Sequence, residues 1–460
     1  MIKPQKPTLN CQSTQFYGYP QTIQKWAGAI LIWLVVSLST SVLAGDDEDP
    51  GDAELKGVST TTAKSIFAFK GYVESTLKLE NDFDLNPNKK DDVVTHAPEA
   101  GLRLQVSPSR QLELLIETEL SRLDYVQNDT DKTDKDWELN IRQAYIEFDA
   151  QKNISLRVGR QQFEDEMEWW YDAYLDGVRL FYETNKFKLE LASMREDRFN
   201  GELLNDPKPK DEDIRDLALV AHFTPAKKVS VSAYLISIDE KRFNGNNPED
   251  LRFFGIQSTG KFTPGFKHWL NAAQVTGKRA RSNDVRTIEA YAYDLGATFI
   301  SDSSTKPSFT LGFAHGSGDA RRNEGKDTNF RQTGLQGNNY RFNGVTNFKY
   351  LGELFDPEIT NLSILTLGFG IRPTRRSSLD IVYHRYVQDQ IVDRLSGTNI
   401  ERDPQGINKE LGHELDFIIG SREIKQVYLE AVLGVFSPDS GFKSNASTAY
   451  FAAVELGFKF

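Results

Sequence analysis

The sequence predicts an all-β fold: a transmembrane antiparallel β-barrel of about 18 strands, following a cleaved signal peptide. Three observations lead there. Apolar and polar residues alternate with period two along most of the 460-residue chain, as in a wall with lipid on one face and water on the other. The alternation is clearest at the end, where Phe460, Phe458, Leu456, Val454, Ala452 and Tyr450 form one apolar row. Lys459, Gly457, Glu455, Ala453, Phe451 and Ala449 form the mixed row opposite. A soluble sheet ending this way would expose a sticky edge, whereas a closed barrel has no edge. Finally, tight turns and long polar loops alternate between the periodic segments, as they do at the two ends of a bacterial barrel.

The first element is a leader. Lys25 precedes the apolar run from Ala27 to Val36, and Val42 and Ala44 suit cleavage before Gly45. Residues 1–44 are therefore expected to be a signal peptide and 45–65 a periplasmic tail, acidic from Gly45 to Asp52. Cys11 lies ahead of the apolar run, so the mature chain is expected to lack disulfides, thiol chemistry and cysteine-ligated metal.

The barrel is expected over 66–460. Its first six strands fall near 66–80, 99–107, 111–124, 137–149, 154–161 and 174–183. The next six fall near 187–196, 214–224, 229–238, 251–263, 267–277 and 285–301. The last six fall near 307–315, 359–373, 378–388, 410–420, 427–436 and 447–460. Tight turns such as Ser107-Pro108-Ser109-Arg110 and Thr263-Pro264-Gly265 join alternate pairs. Long loops at 81–96, 125–136, 197–213, 239–250, 316–358 and 389–409 join the others. With both termini periplasmic, every tight turn falls on the periplasmic side.

Composition agrees. Mean hydropathy is −0.50, and beyond the leader no apolar stretch is long enough to span a bilayer as a helix. Aromatic residues, 11% of the chain, can supply interfacial girdles. A net charge of −11 argues against nucleic acid as a partner.

Family resemblance rests on two blocks. Leu156-Arg157-Val158-Gly159-Arg160-Gln161 runs into Phe163-Glu164-Asp165-Glu166, Trp169-Trp170-Tyr171-Asp172 and Leu175-Asp176-Gly177-Val178-Arg179-Leu180. The second block holds Gly316-Ser317-Gly318-Asp319, Phe330-Arg331-Gln332, Arg341-Phe342-Asn343-Gly344-Val345 and Tyr383-His384-Arg385-Tyr386. Together they resemble the alginate-export family of outer-membrane barrels over most of 66–460. The resemblance implies a monomeric porin in the outer membrane of a Gram-negative bacterium. Its cargo would be an anionic, alginate-like saccharide or related anionic solute, passing through an arginine-lined lumen.

Alternation nominates the arginines. Leu102, Leu104 and Val106 take the lipid face, so Arg103 points inward; the same reasoning turns Arg157, Arg179 and Arg372 inward. Arg142 sits where the alternation slips near Gln143, as at a bulge, and Arg160 lies at a strand end. Arginine suits the task because its fork meets a carboxylate with two hydrogen bonds. The alternative is that each arginine pairs with a lumen acid such as Glu190, Asp380, Glu414 or Asp416 and only stiffens the wall.

Two loops are candidates for a constriction. Glu164, Asp165, Glu166 and Glu168 adjoin Trp169 and Trp170. The ordinary reading is an acidic outer loop with interfacial tryptophans; the sharper one is a constriction loop, with a structural calcium ion as a variant. The 316–358 loop, carrying Arg331 and Arg341, is too long for a mere connector and is read as a gate or as a surface loop. His315 and Ser317 share one face of a strand end, as in a barrel hydrolase, but Gly316-Ser317-Gly318-Asp319 reads as a turn. No enzyme activity, cofactor or metal is expected. Expected partners are outer-membrane lipid, lipopolysaccharide, the saccharide and the barrel-assembly machinery, which would engage the strand ending in Phe460. A general diffusion porin for small polar solutes is the second reading, and a barrel enzyme or adhesin the third.

Overall fold

The computed structural model describes residues 66–460 apart from 131, 197–200, 206–211, 243–248, 282–283 and 321–324. The expected signal peptide and tail lie outside the described residues. The strands are β1 (Phe67–Asn81), β2 (Val93–Val106), β3 (Leu112–Ser121), β4 (Asp124–Asn128), β5 (Glu138–Gln151), β6 (Ile154–Glu164) and β7 (Asp172–Glu183). Next come β8 (Phe187–Arg195), β9 (Glu212–Ala226), β10 (Val229–Arg242), β11 (Glu249–Thr263), β12 (Phe266–Arg281), β13 (Asp284–Ile300) and β14 (Ser308–Gly316). The last are β15 (Asn339–Tyr340), β16 (Phe348–Lys349), β17 (Leu362–Thr374), β18 (Ser377–Gln388), β19 (Glu410–Ser421), β20 (Val427–Pro438) and β21 (Ala449–Lys459).

All but β15 and β16 belong to one antiparallel sheet of 19 segments that closes on itself. Short β4 prolongs β3, both pairing with β2, so the barrel has 18 staves. Closure runs from Tyr72 opposite Lys459 to Asn81 opposite Tyr450. Below it, the amides of Gly71 and Phe460 each donate to the other residue's carbonyl, at 2.9 and 2.8 Å. No backbone edge is left for lipid, which the bilayer demands.

The alternation read from sequence holds. Leu102, Leu104, Leu156, Val158, Val178, Leu180, Phe369, Leu456 and Phe458 are exposed on the outer face. The strand ends differ more. β2 begins at Val93 rather than near 99, and β4 occupies ground expected to be loop. Beyond the bilayer, lipid no longer imposes apolar alternation, so His96 and Pro98 continue a strand that the pattern alone ends. Between β3 and β5 the register steps from Glu117 opposite Gln143 to Thr118 opposite Ile141. Arg142 is thus the extra residue of the expected bulge.

The interior of the barrel is partly filled. Two connections fold inward: the one joining β6 to β7, and the long one joining β14 to β17, which carries the β15–β16 hairpin. They share one apolar core with the wall, described next as a plug.

Candidate functional site

The plug begins where β6 ends. Asp165 is buried, and its carboxylate accepts the amides of Trp169, Trp170 and Tyr171 at 3.1, 2.7 and 3.0 Å. That cap turns the chain so both indoles point inward. Trp169 and Trp170 are 0% exposed, which overturns the reading of an outer loop with interfacial tryptophans. Trp170 packs on Tyr234 of β10 and Phe253 of β11, and Trp169 on Phe330 of the long connection. Gln257 of β11 donates to Asp165 at 2.8 Å, fixing the turn to the wall.

The long connection is no surface loop either. Phe330, Phe342, Tyr350, Leu354 and Phe355 are buried within the barrel. Phe342 stacks on Trp269 of β12 at 5.4 Å, and Tyr350 donates to Asp294 of β13 at 2.6 Å. On β19, Glu414 accepts the amides of Leu354 and Phe355 at 2.7 and 3.0 Å, and Asp416 accepts that of Glu353 at 3.4 Å. These two acids, expected to hold arginines, hold plug backbone instead. Gly352, at φ 129°, lies so close that a Cβ would stand 2.0 Å from the Tyr386 hydroxyl of β18. The two plug segments are joined as well: the amides of Gly337 and Asn338 each donate to the Glu168 carbonyl at 3.0 Å.

The six predicted arginines divide into two groups. Arg103, Arg142 and Arg157 face the open lumen, with side chains 43%, 36% and 23% exposed. Each meets a glutamate: Arg103 with Glu117 at 3.7 Å, Arg142 in a fork with Glu119, and Arg157 with Glu147 at 2.6 Å. Arg157 also lies 4.4 Å over the Tyr145 ring. Arg160, Arg179 and Arg372 are more enclosed, with the side chains of the first two only 10% and 12% exposed, although Arg160 edges a cavity that Arg142 also lines. Arg160 bonds to buried Asp176 at 3.0 Å. Arg179 forks onto Glu190 at 2.7 and 2.9 Å. Arg372 donates to the carbonyls of Asn343 and Gly344 at 2.6 and 2.9 Å, tying β17 to the plug.

The gate candidates fall at two places. Glu164, Asp165 and Arg341 line a cavity of about 580 Å³ with Lys228, Lys261 and Lys267, beside the tight turns. Arg331 lies apart from them, bonded to Glu249 at 2.8 Å and Asp327 at 2.7 Å. His315 bonds to Ser363 at 2.9 Å, while Ser317 donates to the Thr328 carbonyl at 2.8 Å. Among the described residues, the carboxylates that converge closely enough to share an ion are Asp82, Asp84 and Asp91 in the β1–β2 connection, not those of 164–168.

Plug contacts reach the wall from Asp216 on β9, bonded to Tyr171 at 3.1 Å, round to Phe436 on β20, packed on Phe355. Opposite, the inward side chains of β21, β1, β2 and β3 remain mostly half-exposed, among them Glu455, Tyr72, Glu74, Thr76, Glu99 and Glu117. A water-accessible lane therefore lies along this side, covered at one end by the β1–β2 connection, whose Phe83 and Leu85 are buried in the same core as Phe451 of β21. Sequence reasoning had not singled out its glutamates, although they occupy the same inward rows as the arginines.

A closed wall with lipid outside, and a polar lane beside an internal plug, define a porin-type barrel of the bacterial outer membrane. The chain belongs to the alginate export family, whose sequence model matches residues 68–446. It is 25% identical to the alginate production protein AlgE of Pseudomonas aeruginosa over 350 residues, 67% of this chain and 68% of that one. A second AlgE, from Azotobacter vinelandii, is 31% identical over 156 residues, covering 32% and 31% of the two chains. Among solved structures, OccAB3 of Acinetobacter baumannii superposes with a TM-score of 0.55 at 11% identity, over 86% of this chain and 99% of that one. At that identity the likeness speaks for the fold alone.

Proposed function

We propose that the chain is a passive porin of a Gram-negative outer membrane, admitting hydroxyl-rich solutes of the saccharide class along the lane between plug and wall. The observation that carries this is the lane's chemistry. Arginine–glutamate pairs on neighbouring strands place N–H donors beside carboxylate acceptors, and Tyr145 lies beneath Arg157. Sugar hydroxyls both donate and accept, so such a wall can replace their water in steps weak enough to release them. Lipid and lipopolysaccharide would surround the barrel. The assembly machinery would engage the strand ending in Phe460, and a monomer would suffice.

An anionic, alginate-like polymer is the second reading, favoured by Arg103, Arg142 and Arg157 opening onto the lane. Liposome swelling tests the first. Folded protein should admit neutral oligosaccharides at rates that fall with their length. Heat-modifiable barrel that gives neither swelling nor conductance would overturn the porin reading.

A further inference from the structure

Charge is unevenly spread along the lane. Five inward glutamates stand on five successive staves: Glu430 on β20, Glu455 on β21, Glu74 on β1, Glu99 on β2 and Glu119 on β3. Glu430 is directly opposite Glu455, and Glu74 directly opposite Glu99. Glu455 is opposite Thr76, two residues from Glu74, and Glu119 is opposite Gly101, two residues from Glu99. Like charges facing each other across a ladder destabilise a sheet, so this band costs the fold something.

Three cations share the band: Arg142, which forks onto Glu119; Arg422, 2.5 Å from Glu430; and Lys459, 4.7 Å over the Tyr428 ring. Glu74 and Glu99 instead accept the hydroxyls of Tyr428 and Tyr72. A phenol satisfies a carboxylate's lone pairs without cancelling its charge. Across the cavity of about 590 Å³ next to the band, which Glu99, Glu119 and Arg142 line, Asp172 adds a further acid, while Arg160 there is already matched by Asp176. Elsewhere on this side, acids sit beside cations: Glu80 with Lys78, Glu117 with Arg103 and Glu147 with Arg157.

We infer that this glutamate band makes the pore prefer cations, and that the solute it serves is a neutral or positively charged saccharide rather than a polyanion. The inference rests on the porin reading and narrows it. A ring of carboxylates facing a narrow aqueous lane raises the local cation concentration and repels anions, most strongly where salt screening is weak.

The test is the zero-current potential across planar bilayers under a tenfold KCl gradient at pH 8, with the dilute side near 10 mM. The wild type should show potassium permeability several-fold above chloride, decaying toward unity as both solutions approach 1 M. The triple variant Glu74→Gln, Glu99→Gln, Glu455→Gln should bring the low-salt ratio close to unity. Glu455→Gln alone, should the triple fail to fold, should lower it part of the way. At low salt, neutral oligosaccharides should block the current at lower concentration than uronate oligomers of equal length. Chloride preference in the wild type, an unchanged ratio in folded Gln variants, or tighter block by uronates would each overturn the inference. Those results would leave the porin reading intact, since only the absence of channels or solute entry bears on that.

Discussion

At the scale of single residues, the arginines show what alternation can and cannot say. It fixes which way a side chain leaves the strand, so Arg103 and Arg157 were legible as inward. It does not say what fills the space inside, and so could not distinguish an arginine meeting water from Arg372 meeting the plug. Removing each should have different effects. Arg372→Ala forfeits two charge-assisted bonds to plug carbonyls and removes the cation beside buried Asp380, a cost of about 2–4 kcal/mol. Single-channel current should then become noisy, with the barrel still heat-modifiable. Arg103→Ala, at a pair exposed on the arginine side, should cost under ~1 kcal/mol and leave the current quiet. Equal noise in both variants would deny Arg372 its role as a tie.

At the scale of elements, the barrel strands were readable because lipid enforces a simple code. The plug was not, because its segments obey no period. Trp169, Trp170, Phe330, Phe342 and Phe355 are apolar without alternation, and each packs against a residue distant in sequence, in the wall for Trp170, Phe342 and Phe355 and between the two plug segments for Trp169 and Phe330. The hints were a connection of unusual length and two tryptophans beside acids, and these fit an outer loop equally well. Because it is packed like a core, the plug should respond to core substitutions. Trp170→Ala should cost about 3–5 kcal/mol within the plug and raise conductance without dissolving the barrel. Gly352→Ala should do the same for two reasons: its φ of 129° disfavours any side chain, and the added Cβ meets the Tyr386 hydroxyl.

The plug should also respond to pH. Burial, then the neighbouring Asp172 and Glu164, push the Glu168 carboxyl up from 4.5 to about 8, against the opposing pull of Asn339 and Lys349. The docked plug therefore binds this proton more tightly than the released one does. Docking should be unaffected below about pH 4.5, weaken as pH rises to about 8, and level off above. Open-level fluctuations should increase across that window in the wild type, and Glu168→Gln should flatten the dependence. A slope that survives the substitution would place the titrating group elsewhere.

At the scale of the whole molecule, the barrel depends on its seam. Phe460 continues β21 by two backbone bonds to Gly71 and lays its ring 6.2 Å from Phe69 and 6.1 Å from Phe458. Deleting it should lower the yield of heat-modifiable protein in the outer membrane, as counted from membrane fractions at equal expression; an undiminished yield would make the last residue dispensable. The seam has a further consequence through its position. Most of the staves that grip the plug, β6 to β20, lie away from the junction of β1 with β21, although Ala449 and Phe451 at the start of β21 join the same core. In chain order, both inward segments and nearly all their wall partners are complete before the last strand is made. The sheet can therefore wrap around its own contents while still an open curl, and the final zipping has only the β1–β2 connection left to dock, where the carbonyls of Phe83 and Leu85 accept the amides of Glu401 and Ser447 at 3.0 and 3.1 Å. A plug attached across the seam would have to be threaded in after closure; this one can be carried in from the start.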